Sequence, residues 1–114
     1  MADSSRATID QLAALGQETR FRIFRHLMTA GREEVPVGAL GELLDILPST
    51  LSTHLGILAR VNLVRARRDG RTLYYSADID GVRAMFEALV KDCCNGHPEL
   101  CAALDAADLF TCGR

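Results

Sequence analysis

The chain has 114 residues, 48% of them hydrophobic and 25% charged, with a formal net charge of −2. That is enough for one domain around one core, here taken as residues 1–114, and not comfortably for two. No apolar run approaches the roughly 20 residues of a membrane span, and Met1–Arg6 lacks an apolar signal core, so a cytoplasmic protein with reduced cysteines and no membrane partner is expected.

The first predicted helix covers about Thr8–Leu15, with Ile9, Leu12, Ala13 and Leu15 as its apolar residues, and Gly16 breaks it. The second covers about Glu18–Thr29, where Ile23, Phe24, Leu27 and Met28 fall on one side at helical spacing. Gly31 then suits the position just beyond a helix end. Val35-Pro36 opens a short third helix through Leu40, Leu43 and Leu44. Pro48 suits the first turn of a fourth, where a missing N–H costs nothing. Leu51, Leu55 and Leu58 anchor that fourth helix, and its other face is polar: Ser49, Thr50, Thr53, Gly56 and Arg60, flanked by Ser52 and His54. Two strand-like runs follow, Leu63–Arg68 and Arg71–Ser76, joined by Asp69-Gly70, a strong hairpin signal. A fifth helix starts near Asp80, read as its N-cap, and carries Val82, Met85, Phe86, Leu89, Val90 and Cys93 at helical spacing. A last short helix is expected from Pro98 to about Phe110. The fold class is therefore mainly α with a small β-hairpin wing, a winged helix-turn-helix.

Charge is distributed unevenly. Between Ser49 and Tyr75 five arginines face one aspartate, a net +4; between Asp78 and Asp108 the balance is −5. One region suits phosphates and the other is repelled by them. In this arrangement the fourth helix enters the major groove of duplex DNA. Ser49, Thr50, Ser52 and Thr53 are short enough for close approach and can meet base edges or phosphates, or cap the helix instead. His54 either adds a phosphate or base contact or packs, half-buried, beside Leu55. Arg67, Arg68 and Arg71 lie on or beside the wing tip, where arginine clamps phosphates or enters the minor groove; Arg65 and Arg67 share a strand face and Arg68 belongs to the turn. The plainer alternative is an arginine-rich edge that discourages strand aggregation.

Three of the four cysteines, Cys93, Cys94 and Cys101, fall within nine residues. Adjacent Cα atoms lie about 3.8 Å apart, shorter than the usual disulfide range of about 4.4–6.8 Å. Cys93 and Cys94 are thus ill placed to oxidise with each other, but they can present two sulphurs to one soft ion. The turn Asn95-Gly96-His97-Pro98 can return the chain so that Cys101 supplies a third. Other readings are zinc held by the three cysteines and His97, a redox pair of Cys101 with Cys93 or Cys94, and plain burial of Cys93. Cys112, near the C-terminal end, stays outside the set. No cysteine lies in the Gly- and Arg-rich anion loop that a thiol-based arsenate reductase needs, so an enzyme is not expected; a zinc-stabilised interaction domain is a further alternative.

Ala14-Leu15-Gly16-Gln17-Glu18-Thr19-Arg20-Phe21-Arg22-Ile23-Phe24, Ser49-Thr50-Leu51-Ser52-Thr53-His54-Leu55, and Asp69-Gly70-Arg71 followed by Tyr74-Tyr75 resemble the opening, recognition helix and wing of the ArsR/SmtB family of repressors. The resemblance covers roughly Ile9–Cys94. It implies a homodimer built through the first and fifth helices, a two-fold operator in double-stranded DNA, and repression relieved by an inducer. Glu42–Leu47 contains no Cys and the fifth helix no His, so two of the family's sensing arrangements are missing. The third, an As(III) site of an adjacent Cys pair plus one more Cys at the end of the fifth helix, is similar to Cys93, Cys94 and Cys101. It implies As(III) or Sb(III) as inducer.

Overall fold

The computed structural model describes residues 2–93 and residue 99. The elements are α1 (Ala2–Leu15), α2 (Glu18–Ala30), β1 (Val35–Pro36), α3 (Val37–Leu44), α4 (Pro48–Arg60), β2 (Val64–Asp69), β3 (Thr72–Ala77) and α5 (Ile79–Glu87), which continues as a π-helical turn, Ala88–Cys93. The expected last helix, the Asn95–Pro98 turn, Cys94, Cys101 and Cys112 lie outside the described residues.

Four details depart from the sequence reading. The first helix begins at Ala2, since neither Gly nor Pro interrupts residues 2–15. Val35-Pro36 is a short strand, not the start of a helix: Val35 pairs with Tyr75 and Pro36 with Tyr74, making a three-stranded antiparallel sheet in the order β1-β3-β2. Proline is tolerated there because an edge strand can spare an N–H. Arg68 lies within β2, opposite Leu73, and not in the turn. The α5 N-cap is Asp78, whose carboxylate accepts from the Gly81 N–H at 3.0 Å, in place of Asp80.

The core is aliphatic. Ile23 and Leu27 of α2, Leu40 of α3, Leu51, Leu55 and Leu58 of α4, and Leu63 are fully buried together. Tyr75, Ala77, Val82 and Met85 close the cluster from β3 and α5. The buried face of α1 is not its most apolar one. Thr8, Gln11 and Ala14 point inward, while Ile9 and Leu12 remain 51% and 45% exposed. Gln11 turns in because its Nε2 donates to the Val61 carbonyl at 3.0 Å, which meets the cost of burying an amide.

Both ends of the helix-turn-helix are closed in the same way. After α3 the N–H of Ile46 bonds the Gly41 carbonyl and that of Asp45 the Glu42 carbonyl. After α4 the N–H of Leu63 bonds the Leu58 carbonyl and that of Asn62 the Ala59 carbonyl. Each is a Schellman end with one left-handed residue, Asp45 (φ 57°) or Asn62 (φ 64°), and Asp and Asn are the side chains that tolerate this best after glycine. Gly81 sits so close to the Asn62 backbone that a β-carbon there would strike the Asn62 carbonyl oxygen. Gly81→Ala should therefore cost about 1–3 kcal/mol of stability in urea denaturation, whereas Gly38→Ala, in an open helical position, should be neutral or stabilising by up to about 1 kcal/mol.

Candidate nucleic-acid interface

Helix α4 offers its N-terminal turns to solvent. Ser49, Thr50, Ser52 and Thr53 are all exposed, while Leu51, Leu55 and Leu58 hold the opposite face in the core. The N-cap is Leu47, which gives no side-chain cap, so neither serine nor threonine is spent as an N-cap. The first N–H groups of the helix are left for an anion, an arrangement suited to phosphate. Thr53 Oγ1 donates to the Ser49 carbonyl at 3.1 Å. Its proton is thereby used, and the oxygen faces outward as an acceptor, the role that amino groups of cytosine and adenine can meet.

His54 is half-buried. Its Nδ1 lies 3.3 Å from Arg20 Nη1. A guanidinium only donates, so in this contact Nδ1 is the acceptor. Arg20 also donates from Nε to the Ala14 carbonyl at 2.6 Å, and its own N–H is capped by Gln17 at 2.9 Å. One side chain thus links the end of α1, the start of α2 and the middle of α4. No local pattern marks Arg20, because its partner His54 is 34 residues away.

The arginines of the basic region divide into two groups. Arg65 ion-pairs with Asp78 at 3.5 Å and Asp80 at 3.6 Å. Arg67 lies over the Tyr74 ring, 4.9 Å from its centroid, and forks onto Glu34 through Nε at 2.8 Å and Nη2 at 2.8 Å. Glu34 stands just before β1, on the far side of the central strand β3, so this contact crosses the sheet. Hydrogen bonds from the guanidinium, helped by its charge, hold the Glu34 carboxyl below its ordinary range and push Arg67 upward. Glu34 carried no sequence signal, since a contact 33 residues long across a sheet face has no local periodicity. Arg68 and Arg71 are exposed and form no ion pair among the described residues. Gly70, with φ +65°, turns the wing tip between them.

Cys93 ends the π-helical turn. Among the described residues no cluster of three His, Cys, Asp or Glu is placed to hold a metal. No helix among them is long and apolar enough to cross a membrane.

A helix-turn-helix domain model matches residues 15–67. The transcriptional activator HlyU of Vibrio cholerae is 32% identical over 97 residues, covering 85% of this chain and 87% of HlyU. The solved structure described as reduced HlyU superposes with a TM-score of 0.62 at 33% identity, over 80% of this chain and 93% of that one. A homodimeric winged helix-turn-helix DNA-binding domain, Mb0332 of Mycobacterium bovis, described as a possible ArsR-family regulator, gives a TM-score of 0.64 at 28% identity, over 84% and 85% of the two chains. This chain belongs to the ArsR family of winged-helix, DNA-binding transcriptional regulators. Nodulation protein NolR of Rhizobium meliloti is 40% identical over 78 residues, 68% of this chain but only 62% of NolR; the match spans about three-fifths of that relative.

For an ArsR-family wing, two measurements follow from the division of arginines. Removing Arg68 or Arg71 should flatten the dependence of log K on log salt by about 0.9 each, while Arg67→Ala should change the slope less; fluorescence anisotropy on an operator fragment reads this. Glu34, whose folded-state pKa is lowered, adds stability above the ordinary glutamate range and loses it as pH falls through the lowered value. The difference in urea midpoint between wild type and Glu34→Gln should therefore be present near neutral pH and vanish in acid.

Proposed function

We propose that the protein is a cytoplasmic, dimeric repressor that holds a two-fold operator and releases it when As(III) or Sb(III) is captured by the thiolates of Cys93, Cys94 and Cys101. The contacts to DNA are Ser49, Thr50, Ser52, Thr53 and His54 from α4 and Arg68 and Arg71 from the wing, with Arg67 joining them only when freed from Glu34. The observation that carries the inducer reading is the spacing of three thiols within nine residues, directly after the helix whose π-helical end contacts α1. A pyramidal ion bound by three thiolates suits an adjacent pair plus a third sulphur returned by a turn, and soft donors exclude hard cations. Departures from regular α-helix of this kind are frequent at functional sites.

Support for the dimer comes from the outward apolar pair Ile9 and Leu12 on α1. Exposed apolar side chains in a row are what an association face needs. Phe86 and Leu89 are half-buried on the neighbouring helix. Capture at the end of α5 would then act on the helix pair that fixes the spacing of the two α4 helices. By linkage, operator DNA weakens the inducer's binding by the same factor.

A second reading is thiol oxidation, favoured by one observation: HlyU, similar over most of both chains, has a solved form described as reduced. Here Cys101 would pair with Cys93 or Cys94. A gel-shift of operator DNA separates the two. Under reducing conditions arsenite should release the wild type and leave Cys94→Ser bound, and X-ray absorption of the loaded protein should show three As–S contacts. Release by a mild oxidant, reversed by dithiothreitol, with no response to arsenite would transfer the function to the redox reading. An unaltered response in Cys94→Ser would dismiss the site.

A further inference from the structure

We infer that the helix-turn-helix carries a second ligand site, separate from the cysteines, built for a small amphipathic cation: an alkyl- or arylamine with an apolar body. The site is a cleft of about 470 Å³ between α3, the α3–α4 turn and the inner face of β3. Its walls include Val37, Ile46, Leu51, Leu73 and Tyr75, and apolar surface dominates the lining. Small-molecule sites are clefts of about 300–1,000 Å³ with mostly apolar walls and a few polar groups that set orientation, and this cleft falls inside that range.

The polar groups define the ligand's charge. Glu42 and Asp45 stand on the lining, and no Lys, Arg or His does. Both carboxylates are exposed, and neither forms an ion pair among the described residues. Most other acidic groups near the sheet are committed: Glu34 and Asp69 to Arg67, Asp78 and Asp80 to Arg65. An apolar hollow edged by two free negative charges attracts a molecule with an apolar body and one positive head. It disfavours the corresponding carboxylate.

The backbone keeps the hollow open. Gly38 lines it, and a β-carbon at Gly38 would meet nothing within 4 Å. Gly41 also lines it and lies tight against Leu51 and the Ile46 carbonyl, so the glycine there lets α3 and α4 meet at the base. Asp45 is held in place by its left-handed backbone at the end of α3. Pro48, Leu51 and Ser52, from the first turns of α4, form part of the same lining. A bound molecule would touch the segment that presents the groove-reading hydroxyls.

The test uses two probes of like shape and opposite charge, 4-phenylbutylamine and 4-phenylbutyrate, on the full chain. Amide chemical shifts in a nitrogen–proton correlation spectrum report the site, and titration gives affinity. The amine should move the amides of Gly38, Gly41, Asp45 and Ser52 and bind about tenfold tighter than the butyrate, a difference of about 1.4 kcal/mol. Combining Glu42→Gln with Asp45→Asn should abolish that preference; asparagine keeps the left-handed backbone at Asp45. Gly38→Leu, which puts a helix-favouring side chain into open space, should weaken the amine at least tenfold with the far-ultraviolet dichroism unchanged. Equal binding of the two probes, shifts confined to other residues, or an amine affinity indifferent to Gly38→Leu would each overturn the site. None of these outcomes depends on the cysteines.

Discussion

Helix α4, the wing, α1 and α5 are tied together at one turn, Val61-Asn62-Leu63. The left-handed backbone of Asn62 ends α4 and lets the chain reverse into β2. Gln11 reaches this turn from α1 through the Val61 carbonyl, the N–H of Asp78 bonds the Leu63 carbonyl, and Gly81 rests on Asn62 itself. The axis of α4 relative to α1 and α5 is therefore fixed by hydrogen bonds and a close backbone contact as well as by side-chain packing. The contact of Gly81 with the Asn62 carbonyl leaves no room for these elements to slide closer. For a winged-helix DNA-binding regulator, that rigidity fixes how α4 is presented.

A second layer of order lies in the charges. The net charge of the basic region is a poor guide to what DNA can meet, because half of its wing is already engaged. Arg65 and Arg67 spend their guanidiniums on carboxylates from the α5 start and the β1 approach. The exposure of these pairs means that they contribute little to stability, but they aim side chains. Arg20 does the same beside α4, holding His54 by its Nδ1.

Much of this was legible in the sequence. Leu51, Leu55 and Leu58 at helical spacing placed α4 with its polar face outward, and Asp69-Gly70 placed the hairpin, because both signals are local. What failed was non-local. Val35-Pro36 became a strand only because Tyr74 and Tyr75 lie beside it, and a proline before three helix-compatible residues reads equally well as a helix start. The apolar residues Ile9 and Leu12 did not reveal which way α1 turns: Gln11 and Thr8 face in, and a hydrogen bond to Val61, 50 residues from Gln11, accompanies that rotation. Glu34 and Glu42 look alike in sequence, and only the fold makes one a clamp on the wing and leaves the other beside an apolar cleft. Of the thiol cluster, Cys93 alone falls among the described residues, so the reading of that segment still rests on spacing and chemistry.

The π-helical turn at the end of α5 has a consequence of its own. Val82 and Met85 set a stripe with the 3.6-residue period of an α-helix, and Cys93 looks like a later member of it. From Ala88 onward each turn closes with an i→i+5 bond and holds an extra residue. The rotational phase set by Val82 and Met85 is lost before Cys93 is reached. Residues before and after Ala88 thus follow different angular registers on one continuous rod. Under the inducer site proposed above, exchanging the residues that follow the turn would leave unrotated the stripe that Val82 and Met85 contribute to the core.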